Sequence, residues 1–287
     1  MIQMKNFKNI LIVLFALPMF VFAQETKQND KEQTKEKPAR AAFEGSTLIE
    51  NATNVLFQKN TLEIQMSHRF GLLNGGTNDM AGFWAPANIR IGLAYAITDY
   101  ITVGYGTTKF SRLQDFNLKV GLLRQTRSNS MPISVTYFGN ATVDARTKDN
   151  FNLKQDRYSY FSQLIIAKRF SSKFSAQVAP SISHFNLVEP TIKNDMIAIA
   201  LGGRYKISPN TAIIVDYSQP ITTFYSGNPN PGIAFGVEFA TSGHAFQLFA
   251  TNYNGLSPQK NYMYNHNDFI NNGDFMIGFN ITRKYNF

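Results

Sequence analysis

The chain has 287 residues, with 28 Lys+Arg against 19 Asp+Glu, a formal charge of +9 and no cysteine. Without cysteine there are no disulfide scaffolds, thiol nucleophiles or zinc–thiolate sites, and four histidines leave little for a multi-histidine metal centre. The charged fraction of 16% is low beside the ~25% usual for soluble proteins, the aromatics are mostly Phe (25) and Tyr (13), and a mean hydropathy of −0.21 argues against a helical membrane protein.

Residues 1–23 have the pattern of a secretory signal peptide. Lys5 and Lys8 form a basic start, Ile10 to Phe22 an apolar stretch, and Val21-Phe22-Ala23 a small-residue cleavage site, so cleavage is expected between Ala23 and Gln24. The apolar run is shorter than the ~20 residues of a spanning helix. Residues 24–42 are almost wholly polar, with mixed charge. They cannot bury enough surface to fold and read as a disordered tether. Residues 43–57 differ: Phe43, Leu48, Ile49, Val55, Leu56 and Phe57 are too apolar for a free linker and are candidates for a plug in the barrel mouth or for packing below it.

From about residue 60 the hydrophobic period is two, which places successive side chains on opposite faces of a sheet. The first such segment alternates Leu62, Ile64 and Met66 with Glu63, Gln65 and Arg69. Further segments follow at 88–96, 100–107, 116–123, 133–143, 157–169, 174–185, 195–206, 211–217, 233–241 and 244–252. The two faces of 157–169 do not separate cleanly, and Pro180 inside 174–185 predicts a bulge or register break, because proline donates no ladder hydrogen bond. The last segment alternates Phe275, Ile277, Phe279 and Ile281 with Met276, Gly278, Asn280 and Thr282, continues to Tyr285, and ends on Phe287.

This makes about twelve strands, an even number. The connections 71–87, 108–115, 144–156, 186–194, 218–232 and 253–273 are long. Those at 97–99, 170–173, 207–210 and 242–243 are short, with 124–132 the exception. The expected fold is all-β: a transmembrane antiparallel up-and-down β-barrel over 58–287, with short periplasmic turns and longer extracellular loops. One face of nearly every strand is Ile, Leu, Val, Phe or Tyr and suits lipid. The other is small, polar or charged and suits a lumen. A sheet in lipid must close to satisfy its edges. A soluble sandwich or lipocalin-like barrel would turn its apolar face inward, and would leave unexplained the export signal and the aromatics expected at both rims.

The stretches AAFEGSTLIE (41–50), SHRFG (67–71), ANIRIGLAYAITDYITVGYG (87–106) and GVEFATSGHAFQLFATN (236–252) resemble an uncharacterised outer-membrane β-barrel family of Gram-negative bacteria, the domain-of-unknown-function family 5777. The resemblance runs from about residue 41 to the C-terminus. It implies a barrel in the cell outer membrane and supplies no activity, substrate or site residues.

No catalytic, cofactor or metal residues are assigned, and the protein does not read as an enzyme. His68, His184, His244 and His266 sit at strand ends, in a turn and in a loop, outside any recognisable Ser/His/Asn cluster. The loop NHNDFINNGD (265–274) is rich in oxygen ligands but lacks the spacing of a calcium loop; Asp268 and Asp274 would be its ligands. The basic charge does not interleave with aromatics on one element, so nucleic acid is not expected as a partner. The lumen-facing charges are Glu63, Arg69, Arg90, Lys119, Arg204, Asp216 and Glu238. This mildly basic set either biases a pore toward anions or braces the lumen through Arg–carboxylate pairs. The leading expectation is a narrow porin-like conduit for small hydrophilic solutes, anionic ones among them. The alternative is a non-conducting accessory barrel that docks a periplasmic or surface partner. Other expected partners are outer-membrane lipid and the barrel-assembly machinery, with Tyr285 and Phe287 as the C-terminal assembly signal.

Overall fold

The computed structural model describes residues 36–287. The expected signal peptide, its cleavage site and residues 24–35 of the tether lie outside the described residues.

Two short strands, β1 (Thr47–Leu48) and β2 (Asn51–Ala52), form a small hairpin. Twelve longer strands follow: β3 (Thr61–Leu72), β4 (Asn88–Thr98), β5 (Ile101–Thr108), β6 (Leu113–Leu123), β7 (Ser134–Asp144), β8 (Tyr158–Arg169), β9 (Phe174–Phe185), β10 (Asp195–Lys206), β11 (Thr211–Pro220), β12 (Gly232–Ala240), β13 (His244–Thr251) and β14 (Met276–Asn286). Each pairs antiparallel with its sequence neighbours, and β14 pairs with β3, so the sheet closes into a twelve-stranded barrel. A helix, α1 (Pro258–Met263), interrupts the last long loop. Among the described residues no helix is long and apolar enough to cross a membrane; crossing belongs to the strands.

Alternation decides which way each side chain points. On β10, Ile197 and Leu201 are exposed on the outer wall while Met196, Ala198 and Ala200 are buried inside. On β8 the inward row is Ser159, Phe161, Gln163, Ile165 and Ala167, all buried. Phe161 and Ile165 are apolar yet point inward, which is why the two faces of this strand are hard to separate by composition. Phe161 stacks on Tyr262 at 5.6 Å, and Ile165 packs with Ala52, Ala179 and Ala200.

Two expectations need correcting. Pro180 causes no register break. Its pairing with Ile199 belongs to an unbroken β9–β10 ladder, and the β8–β9 register is the same on both sides of it. The missing donor costs ladder pairing opposite Leu164 and Ile165, but the turn at 170–173 and the burial of the inner face hold the alignment. Register shifts occur instead between Ala96 and Thr98, Gly121 and Leu123, and Met276 and Gly278. The connection expected to be long at 108–115 is also short. β6 begins at Leu113, and residues 109–112 make a tight turn. Leu113 is inward and buried, so an apolar residue on the polar face hid the strand's start.

Candidate functional site: the filled lumen

The N-terminal segment enters and leaves the barrel at the end carrying the short turns. Pro38 bridges Thr126, and the Ala39 N–H donates to Gln125 O at 2.8 Å. Beyond the segment, the Asn60 N–H donates to Ala96 O at 2.9 Å. Between these points the chain rises into the lumen. Phe43, Leu48, Ile49, Val55 and Phe57 are buried there, in one cluster with Ile214 and Phe249 of the wall. Leu56 is half-buried and lies over Gly121. Burying a leucine such as Leu48 is worth about 1.5–3 kcal/mol.

The hairpin's backbone is held by wall side chains. Asp216 accepts the N–H groups of Glu50 and Asn51, both at 3.0 Å, and the Asn51 amide at 2.7 Å. Gln247 accepts from Ile49 N at 3.1 Å and donates to Thr47 O at 3.1 Å. Asn280 donates to Ile49 O at 2.7 Å, and Gln177 to Ala52 O at 2.9 Å. A buried segment needs such partners, because each unmatched polar group costs about 1–3 kcal/mol.

The wall charges are engaged in the same way. Arg69 pairs with Glu50 of the hairpin at 2.9 Å, donates to Asn280 at 3.0 Å, and lies 4.6 Å over the Phe249 ring. Arg90 holds Asp115 with two parallel bonds of 2.8 and 2.7 Å. Lys119 donates to Ser46 O at 2.8 Å. Glu63 accepts from Ser46 Oγ and Gln65 Nε2, each at 2.5 Å. Arg204 donates to Glu238 at 2.7 Å and lies 3.7 Å from Glu44, and Glu238 also accepts from Gln247 at 3.0 Å. The seven charged positions singled out in the sequence thus lie in one interior network with the hairpin.

Sequence reasoning missed Asp115, which it placed in a loop. With Asp115 added, the set singled out in the sequence has four cations, Arg69, Arg90, Lys119 and Arg204, against four carboxylates, Glu63, Asp115, Asp216 and Glu238, and Asp144 at the end of β7 is a further buried carboxylate, so this set is not basic. It also missed the inward fold of the last long loop. Tyr262 of α1 donates to Asn51 Oδ1, Gln259 donates to Asn140 Oδ1 at 2.6 Å, and Asn261 to Glu50 at 3.4 Å. The hairpin from one end and the helix from the other therefore meet inside the barrel. The Ser257-Pro258 step that opens α1 is a helix-start signal that could have marked the segment.

The small wall residues differ in what fills the space beside them. A Cβ on Gly202 would stand 2.7 Å from Leu48 Cδ2, so the hairpin occupies that room. Beside Gly104 the nearest atoms belong to the wall itself.

The remaining candidates are local. His68 lies on the outer row, stacked 5.1 Å from Phe279 and edge-on to Phe70. His184 is bonded to Asp195 at 2.7 Å and to Asn186. His244 heads β13, exposed, and His266 gives its carbonyl to Asn230. Asp268 and Asp274 are already bonded: Asp268 accepts the Ile270 and Asn271 N–H groups at 3.0 and 2.9 Å, and Asp274 accepts the Asp268 N–H at 3.1 Å and the Asn74 amide of the loop after β3 at 2.7 Å. Bonding to Asn271 first, then to Ile270, holds the Asp268 carboxyl below the usual carboxylate range. Tyr285 is half-buried with Arg283 4.8 Å over its ring, and Phe287 is exposed.

No curated protein matches the chain in sequence. Solved structures of similar shape include the toluene transporter TodX of P. putida (7% identity, TM-score 0.41, covering 82% of this chain and 91% of that one). An outer-membrane channel of Pseudomonas putida F1 is 12% identical, with TM-score 0.45 over 80% and 97% of the two chains. The outer-membrane protein Omp33 of Acinetobacter baumannii is 8% identical, with TM-score 0.40 over 79% and 99%. Identities this low carry no substrate across. The family model described as a membrane bound beta barrel domain (DUF5777) matches residues 43–285, buried hairpin included, and the chain belongs to that family.

Proposed function

We propose that the protein is an outer-membrane conduit for small hydrophilic solutes, without a catalytic step, in which residues 41–57 act as a plug that restricts flow. The observation that carries this reading is the polar character of the wall: Arg90, Asp115, Lys119, Glu238 and Gln247 line an interior that an inert structural barrel would fill more cheaply with apolar side chains. Carboxylates on the wall are at least as numerous as the paired cations and give no electrostatic reason for anion preference, so selection by size is the expectation. Short turns then face the periplasm, on the side where Pro38 meets Thr126.

The test is conductance in planar bilayers. The full chain is compared with the variant Asp216→Ala/Gln247→Ala/Asn280→Ala, which removes the wall bonds to the hairpin tip. Loosening the plug is expected to raise the single-channel current severalfold, with no change in the sign of ion selectivity. Silence of both proteins, each verified as a folded barrel, overturns the reading.

The filled lumen itself favours a second reading, a non-conducting barrel that docks a periplasmic or surface partner. That reading requires both proteins to be silent and a specific protein to co-purify in gentle detergent.

A further inference from the structure

The hairpin does not fill the lumen evenly. The backbone of its tip, Thr47 to Ala52, is tied to one arc of the wall, through Gln177 on β9, Asp216 on β11, Gln247 on β13 and Asn280 on β14, while the stretches leading into and out of it are held by Lys119 on β6, at 2.8 Å from Ser46 O, and Thr136 on β7, at 3.4 Å from Asn54 O. Among the described residues, β4 and β5 make no hydrogen bond to residues 41–57. Their inward positions Ala94, Thr102 and Gly104 are small, and they border a cavity of about 110 Å³. The cavity runs between the hairpin and the β3–β7 arc. It reaches from Phe57 and Thr102, near the short turns, to Leu256 and Ser257 on the inward-folded loop. At about 10–15 Å³ per water, it holds several waters. Three buried polar atoms around it, Thr102 Oγ1, Ser257 Oγ and Asn261 Oδ1, have no partner in the protein. Buried polar groups are satisfied by protein or by water, so these atoms mark hydration at both ends of the cavity.

We infer that the solute path runs beside the plug, along the β3–β7 arc, with Arg90, Asp115 and Asn117 lining it while the backbone of the hairpin tip stays tied to the opposite arc. The inference rests on the conduit reading above. Arg90 is the most exposed of the paired wall cations, at 13%, against 1% for Arg69 and 6% for Arg204. It lies over Gly92 and Gly106, flat against the wall, so the cavity remains open in front of it. The path is therefore narrow, polar and bordered by the Arg90–Asp115 and Arg69–Glu50 pairs, which suits water, small ions and small hydrogen-bonding solutes.

The chain has no cysteine, so an introduced pair is the only thiol chemistry present. Leu48→Cys/Gly202→Cys joins the hairpin to β10 across a close contact. Ala52→Cys/Ala179→Cys joins two alanines of one buried cluster and serves if the first pair fails to fold or to oxidise. Locking the full-length protein is expected to leave its single-channel current unchanged. In the locked background, a charged methanethiosulfonate reagent on Asn117→Cys is expected to abolish most of that current, and the same reagent on Ser181→Cys, an inward β9 position away from the cavity, to leave it. Current that disappears on oxidation and returns with reductant overturns the inference, because the plug then has to move; so does block through Ser181→Cys without block through Asn117→Cys. Silence of every form, including the loosened-plug variant, instead removes the conduit reading itself.

Discussion

Two segments fill the lumen, the hairpin of residues 41–57 and the loop helix Pro258–Met263, and they are held by different chemistry. The hairpin is bound by charged wall groups, Asp216 on its amides, Lys119 on a carbonyl and Arg69 on Glu50, alongside the amides of Gln177, Gln247 and Asn280. The helix is bound by rings and uncharged groups, with Tyr262 against Phe161 at 5.6 Å and Gln259 on Asn140 at 2.6 Å. A segment can therefore be interior here whether it reads as apolar, like 43–57, or as polar, like 258–263. What decides is the complement offered by the wall.

The sharpest way to break this contrast is to remove a charge. Arg69→Ala leaves Glu50 buried without its cation, and losing one partner of a buried pair costs about 3–5 kcal/mol. The loss is expected in urea unfolding of the barrel in lipid vesicles. Replacing both Arg69 and Glu50 by methionine is expected to recover most of it. A double variant as unstable as the single one would show that the pair is not what holds the hairpin.

The helix should be less sensitive to a polar deletion. Tyr262→Phe removes the hydroxyl that reaches Asn51 and keeps the ring stack, so a loss of about 0.5–1.5 kcal/mol is expected by the same measurement. A loss as large as that of Arg69→Ala would erase the difference between the two segments.

The smallest effect lies at the tip of the loop. The Asp268 carboxyl is held below the ordinary 3.8 by the bonds from Asn271 and Ile270. A lowered value means that the ionised form favours the folded loop: the contribution is complete above pH 3.8 and is lost as pH falls through the lowered value. Pepsin cleavage around Phe269 is therefore expected to rise only once the pH drops below that range, and Asp268→Asn to be cleaved already above it. A chelator is expected to change neither rate, because loop N–H groups occupy both carboxylates; protection lost with chelator would restore the metal reading.

Most of the barrel was legible in the sequence because lipid and lumen impose opposite demands on alternating positions. The outward rows, such as Ile197 and Leu201 or Phe235 and Phe239, face a solvent that admits only apolar side chains. Their period survived everywhere except β8 and the start of β6. There Phe161, Ile165 and Leu113 point inward against Tyr262, Ala52 and neighbouring interior atoms, so the inner row turned apolar and the contrast vanished. Asp115 was lost for the same reason: once the start of β6 was misplaced, its charge fell into a loop and the wall looked basic.

The strand number, the direction of each side chain and the interior position of seven charged residues follow from local alternation, which needs only the two solvents to be different. The partners of those charges do not. Which carboxylate meets Arg69, which carbonyls Lys119 takes, and on which arc the hairpin rests depend on groups far apart in the chain, such as Glu50 with Thr251 and Ile49 with Asn280. Only closure of β14 onto β3 brings those positions around one interior, and only there does a polar loop find enough partners to leave water.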